Sequence, residues 1–253
     1  QDPTLIAERD DLLLEQITLL NQLGRYEEAM SLLDGHIFHP WEGGEGKVPA
    51  QYQYARVEKA KEMLNTPDSA SEKAIALLEE CLIYPHHLGE GKLHGAQEND
   101  FYYFLGCAYE KLGNMECARE CWEKATSGPT EPVAAMYYND AKPEKIFYQG
   151  LALQKLGRTD EANGRFYKLV NYGKQHIFEP QVMDYFAVSL PDLQIWDGDL
   201  NEKNRIHCLF MLALGYTGLG ETEKGKRYLH EVEQLDINHQ GIMALKNLLN
   251  NEK

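Results

Sequence analysis

The sequence predicts an all-α fold of about five stacked helical hairpins, with long inserts between them and a helix closing the C-terminal end. Two observations predict it. A Leu-Gly-x-x-x-x-Ala phrase recurs along the chain, and each copy lies between two amphipathic stripes. Residues 23–29 read LGRYEEA, 112–118 LGNMECA and 156–162 LGRTDEA, while 219–225 read LGETEKG with glycine in place of the alanine. A glycine just past a helix end takes the left-handed backbone at little steric cost. The small residue that follows lets a second helix approach the first. Each phrase therefore reads as the elbow of a hairpin.

The hairpins follow in order. The first, about 4–36, keeps Leu20, Gly24, Ala29 and Leu33, with bulky Ile17 at a site that is small elsewhere. The second, 51–83, lacks the Leu-Gly elbow. Its two amphipathic segments, QYQYARVEKAKEML and ASEKAIALLEECL, flank Asn65, Thr66, Pro67 and Asp68, which supply turn chemistry. The third, 99–127, is the fullest. Tyr102, Leu105, Gly106 and Tyr109 share one stripe, Ala118 and Trp122 the facing one, and Pro129 closes the unit. Gly106 is expected where two helices cross closely. The fourth, 143–172, carries Gly150, Leu153, Gly157, Ala162 and Phe166. The fifth, 203–236, carries Leu212, Tyr216, Gly220 and Leu229, with Ala213 and Gly225 at the two small sites. Residues 237–250 form a final helix, because an array of hairpins needs a closing face. Residues 1–253 read as one domain.

An aromatic, then Leu-Gly, Tyr, Ala and a second aromatic with a trailing Pro resembles the tetratricopeptide repeat. The resemblance covers about two thirds of the 253 residues. It implies a right-handed superhelical solenoid whose first helices line a concave groove for a peptide, a partner protein or an adjacent domain. On that implication the groove residues are Tyr103, Cys107 and Glu110, then Phe147, Leu151 and Gln154, then His207 and Phe210. Asp100, Glu144 and Leu214 lie beside them. The alternative for each is packing against an insert that fills the groove.

A regular array of this kind repeats every ~34 residues, yet the later elbows lie 44 and 63 residues apart. The extra length falls in four inserts after second helices, at 37–49, 83–100, 128–143 and 172–201. The first two share Pro-x-x-x-Gly-Glu-Gly-Lys, ending at Lys47 and Lys92. This is no phosphate loop. The required early glycine is Trp41 or His86, and Val48 or Leu93 follows the lysine where Ser or Thr is needed. A structural role would have the glycines make turns while Glu45 and Glu90 bond backbone amides or basic side chains of neighbouring helices. A binding role would have the inserts meet along one edge. Trp41, Glu45, Lys47, His87, Glu90, Lys92, Tyr138, Trp196 and Asp197 would then share one surface. Rings beside carboxylates suit a sugar or a polar protein interface, or equally a secondary core.

The phrases FHPWEGGEGKVP, LGEGKLHGAQEND and DYFAVSLPDLQIWDGDLNEKNRIHC resemble the C-terminal repeat region of large bacterial proteins that carry an N-terminal mutarotase-like β-sandwich domain of unknown function. That likeness implies a bacterial origin, an adjacent N-terminal domain as partner, and a carbohydrate connection only through that domain. The start, QDPTLIAERD, has no initiator Met and no signal pattern, and reads as a processed or excised piece.

Charge and cysteine content narrow the function. With 25 basic and 40 acidic residues the net charge is −15. Such a surface repels phosphate backbones, so nucleic acid is not an expected partner. No apolar run is long enough to span a membrane. Five cysteines without a CxxC pair argue against a disulfide framework or a zinc site. Cys117 and Cys121, four apart, read as small buried side chains, and reduced thiols suit a cytoplasmic setting. His86, His87 and His94 do not follow a metal-ligand spacing. No cofactor or metal is expected, and no nucleophile–base motif supports catalysis. The leading function is a protein-interaction or scaffold module. The alternative is an accessory region of a bacterial carbohydrate-active protein.

Overall fold

The computed structural model describes residues 3–41, 43–66, 70–134, 140–182 and 199–250. Among these residues the chain forms α-helices and one short 3-10 helix, with no strand. It divides into two compact units, Gln1–Ala96 with Phe104–Ala118, and Gln97–Tyr103 with Arg119–Lys253. The first unit contains α1 (Pro3–Glu8), α2 (Asp10–Gln22), α3 (Tyr26–Asp34), α4 (Lys47–Leu64), α5 (Ser71–Glu80) and the 3-10 helix His86–Leu88. Helices α6 (Asn99–Lys111) and α7 (Met115–Ala125) give residues to both units. The second unit continues with α8 (Pro143–Lys155), α9 (Thr159–His176), α10 (Leu200–Gly218), α11 (Thr222–Leu235) and α12 (Gln240–Asn250).

Two of the boundaries that differ from the sequence expectation shape the first unit. The first hairpin is broken at Arg9, whose extended backbone separates α1 from α2. Helix α4 begins at Lys47 rather than 51, so the first Gly-Glu-Gly-Lys runs straight into a helix.

The four Leu-Gly elbows share one geometry. Gly24, Gly113, Gly157 and Gly220 all have φ between 72° and 78°. Each glycine N–H donates to the carbonyl three residues back, at Asn21, Glu110, Gln154 and Thr217 (2.9–3.1 Å). The next N–H donates five residues back, to Leu20, Tyr109, Leu153 and Tyr216 (2.8–2.9 Å). This is the Schellman closure, which satisfies helix-end carbonyls that would otherwise lack donors. A Cβ on Gly157 would meet no heavy atom within 4 Å, so only backbone strain opposes a side chain there. Gly157→Ala is expected to cost about 1 kcal/mol. An unchanged urea midpoint would show that this elbow relaxes out of the left-handed region.

In the first unit the core gathers Leu13, Leu14, Ile17 and Leu20 of α2, Ala29 and Leu33 of α3, and Tyr52 and Ala55 of α4. Phe38 and Leu88 join it from the inserts. In the second unit α9 packs on both α8 and α10. Phe166 of α9 occupies the space that two glycines leave. A Cβ on Gly150 or on Gly218 would lie 2.3 Å from its ring. The glycines are therefore shape complements to one aromatic side chain.

Buried amides close other helix ends. Asn99 Nδ2 donates to the carbonyls of Ala125 and Ser127 (2.8 and 2.7 Å), and Asn204 Nδ2 to that of His176 (2.7 Å). Gln53 Nε2 does the same for Cys81 (3.3 Å). First helices thus supply donors to the last carbonyls of second helices, the groups a helix cannot satisfy itself. No cysteine is in a disulfide. Cys81, Cys121 and Cys208 are buried, whereas Cys107 and Cys117 are half-buried. Among the described residues no helix is long and apolar enough to cross a membrane.

Candidate functional site

The first two inserts interlock within the first unit. Phe38 N–H donates to the carbonyl of His87 (2.8 Å). At Gly89, φ is +76° and a Cβ would stand 2.6 Å from the Phe38 oxygen, so the close approach requires glycine. Gly43 N–H donates to Glu45 Oε2 (2.9 Å), and Gly46 N–H to Glu90 Oε2 (2.8 Å). Glu90 thus accepts from the residue that opens a neighbouring helix, whereas Glu45 accepts only from Gly43 of its own loop. Gly46 immediately precedes α4. The Glu90 carboxylate therefore sits where unpaired N–H groups and the helix dipole favour an anion. Burial, and the charge of Glu45 beside it, push the Glu90 carboxyl above its usual range despite that bond. The chain fills its own anion position.

The two copies of the phrase are not equivalent. Gly44 is buried under the Trp41 indole, where a Cβ would stand 2.1 Å from the ring. Its counterpart Gly89 is left-handed, and Gly91 is open where Gly46 is left-handed. Trp41 is half-buried and packs on the α2–α4 core. His87 is half-buried, edge-on to Tyr52 with centroids 6.3 Å apart, and 3.8 Å from Asp34. Lys92 Nζ donates to the Leu82 carbonyl (3.3 Å), and Lys47 is exposed. Trp41, Glu45, His87 and Glu90 are thus assembled as packing and capping groups. Tyr138, Trp196 and Asp197 lie outside the described residues. Trp41→Ala is expected to lower stability by about 2 kcal/mol, less than a fully buried indole because the ring is partly exposed. Native stability in that variant, measured by urea unfolding, would return Trp41 to the role of an offered ring.

Sequence inspection missed the Arg56 network. Arg56 lies mid-helix in α4 and is 3 % exposed. Its Nη2 donates to both Asp34 oxygens (2.7 and 2.8 Å), its Nε to Glu80 (2.7 Å), and its guanidinium lies 3.5 Å from the centre of the Tyr52 ring. Asp34 and Glu80 end α3 and α5. One cation therefore meets two helix C-termini, where positive charge is favoured. The available signal was an arginine one turn after a core tyrosine. Among the described residues no group of His, Cys, Asp and Glu is placed to hold a metal ion.

The expected groove positions divide. Tyr103 is half-buried with its ring 5.5 Å from Tyr148. Leu151 is half-buried, and exposed Gln154 donates to the Gly218 carbonyl (3.1 Å). Cys107 and Glu110, in the first unit, are half-buried. Asp100 pairs with Lys145 (2.5 Å), and Glu144 is half-buried. His207 is half-buried and donates through Nε2 to the Val133 carbonyl (2.9 Å). Phe147 and Phe210 are corrections. Phe147 is 1 % exposed, its ring 5.9 Å from that of Phe166. Phe210 is 4 % exposed under His239, with ring centroids 4.6 Å apart, and Leu214 is likewise buried. The cause is that α8, α9, α11 and α12 all pack on α10, so residues 208–218 are buried on every side.

Residues 100–127 match the tetratricopeptide repeat. The match falls on the third elbow and the helices either side of it. It supports the tetratricopeptide-repeat family for a chain whose other elbows repeat the same hydrogen bonds. Tetratricopeptide repeats generally mediate protein–protein interaction. No solved structure matches the chain.

Proposed function

We propose that the chain is a scaffold module that docks a peptide, a partner protein or an adjacent domain of its own full-length protein on the exposed parts of its first helices. The single observation that carries this reading is the tetratricopeptide-repeat match at 100–127. The recurrence of its elbow geometry three more times supports extending it to a right-handed superhelical array of five hairpins. In the second unit the contact residues are Tyr103, Leu151 and His207. In the first they are Cys107 and Glu110. The insert phrases favour an N-terminal domain of a bacterial protein as the natural partner. Trp41, packed on the core, lends nothing to a sugar site.

The test is panning of the intact chain against a random peptide library, with each hit measured by calorimetry on the wild type and on Tyr103→Ala and Leu151→Glu. Loss of binding at least tenfold with an unchanged unfolding midpoint supports the reading. Hits that ignore both substitutions, or a library that yields no saturable binder, overturn it.

A further inference from the structure

We propose that His239 is an acid-sensitive latch that holds the start of α12 over Phe210, and that charging its imidazole releases it. The latch regulates the face assigned above, so its functional consequence rests on that reading; the release itself does not.

His239 is the residue before α12, and its backbone carbonyl accepts the Ile242 N–H (3.0 Å). Its ring lies over Phe210 of α10, and the next turn follows so closely that a Cβ on Gly241 would stand 2.2 Å from the Phe210 ring. His239 Nδ1 is buried and has no hydrogen-bond partner. A neutral imidazole tolerates this by leaving Nδ1 as the bare lone pair. A charged one carries hydrogen on both nitrogens and would strand a buried donor, which is costly. The position compounds the cost, because the positive end of a helix dipole disfavours a cation. His207 already spends Nε2–H on the Val133 carbonyl, so its charged form needs a second acceptor at Nδ1.

His207 faces Glu144 of α8 and Asp140 just before it. His239 faces Glu144, Asp236 at the end of α11, and His207 itself. On α12 the first turn has no acidic side chain, and Lys246 is engaged by Glu233 of α11. The carboxylates pull toward the charged form. Burial outweighs them and holds both imidazoles below their ordinary range. The docked state therefore binds fewer protons than the released one. Docking strength is complete above the ordinary imidazole value and falls as pH drops below it toward the depressed native values. Release would uncover Phe210, a large apolar side chain on the longest helix of the second unit.

The test is hydrogen exchange of residues 240–250 in the full chain at pH 7.5, 6.5 and 5.5, corrected for intrinsic exchange. In wild type, protection of α12 is expected to fall by up to about tenfold per pH unit below pH 6.5, while α9 keeps its protection. His207→Gln together with His239→Gln should leave α12 equally protected at all three values. Should that double variant fail to fold, His239→Phe keeps a ring on Phe210 without a titrating group and should flatten at least half of the logarithmic response. Constant α12 protection in wild type overturns the proposal, and so does a folded double variant, or His239→Phe, that tracks wild type. Because no partner is present, a failed latch and a failed docking face give separate results.

Discussion

Phe166→Ala should lower the unfolding free energy by about 3–5 kcal/mol. The ring is fully buried and packs against two other helices. It is carried by α9, meets the bare backbone of Gly150 on α8 and of Gly218 on α10, and lies 5.9 Å from the Phe147 ring. Truncation empties a space walled in part by the backbone of Gly150 and Gly218, which cannot swing inward as side chains do. The void therefore persists, and the cost lies toward the upper end of the range. A second measurement isolates the cause. Gly150→Ala alone forces a methyl to 2.3 Å from the ring and should cost about 1–3 kcal/mol by overpacking. In a Phe166→Leu background the same methyl meets less material, so the two changes should be less than additive. Strict additivity in urea unfolding would remove the claim that glycine and aromatic are matched.

Arg56→Met should cost about 2–3 kcal/mol. Breaking a buried ionic contact from one side runs to about 3–5 kcal/mol. Here the stranded Asp34 and Glu80 side chains are each 47 % exposed, so they rehydrate and the figure is discounted. The remainder comes from the lost contact on Tyr52 and from two helix C-termini left without their cation. High salt should leave most of the wild-type advantage intact, since the guanidinium itself is buried and weakly screened. A variant as stable as wild type at low ionic strength would mean that methionine packing alone replaces the network.

The elbows were legible because Leu-Gly fixes a backbone state that few other pairs allow, and Gly24, Gly113, Gly157 and Gly220 all adopt it. The capping of α4 was partly legible. A repeated Gly-Glu-Gly pointed to carboxylates capping neighbouring helices, which Glu90 does at Gly46, but not to Glu45 closing on its own loop at Gly43. Phe147 and Phe210 were misassigned by carrying a groove face across from the repeat pattern at helical spacing. The contrary signal was present in 208–218, CLFMLALGYTG, where apolar residues continue round the whole helix. A segment apolar on all sides is enclosed, so from residue 208 onward no face of this helix was available. The Arg56 network left no trace in periodicity, because arginine on a stripe of core residues reads as an exposed position until its partners at two distant helix ends are known.

The bond from Gly46 to Glu90 joins residues 44 apart. Hairpin arrays are usually thought of as beads, any one of which can be duplicated or deleted at a boundary. In this half of the chain the beads are threaded twice. The loop that leaves the second hairpin completes the first turn of that same hairpin's leading helix, and it also pairs with the loop that leaves the first. Excising residues 37–82 would remove Gly46 and orphan Glu90. Duplicating them would create two helix starts competing for a single carboxylate. A change in hairpin number here keeps this contact only if both loops are retained together.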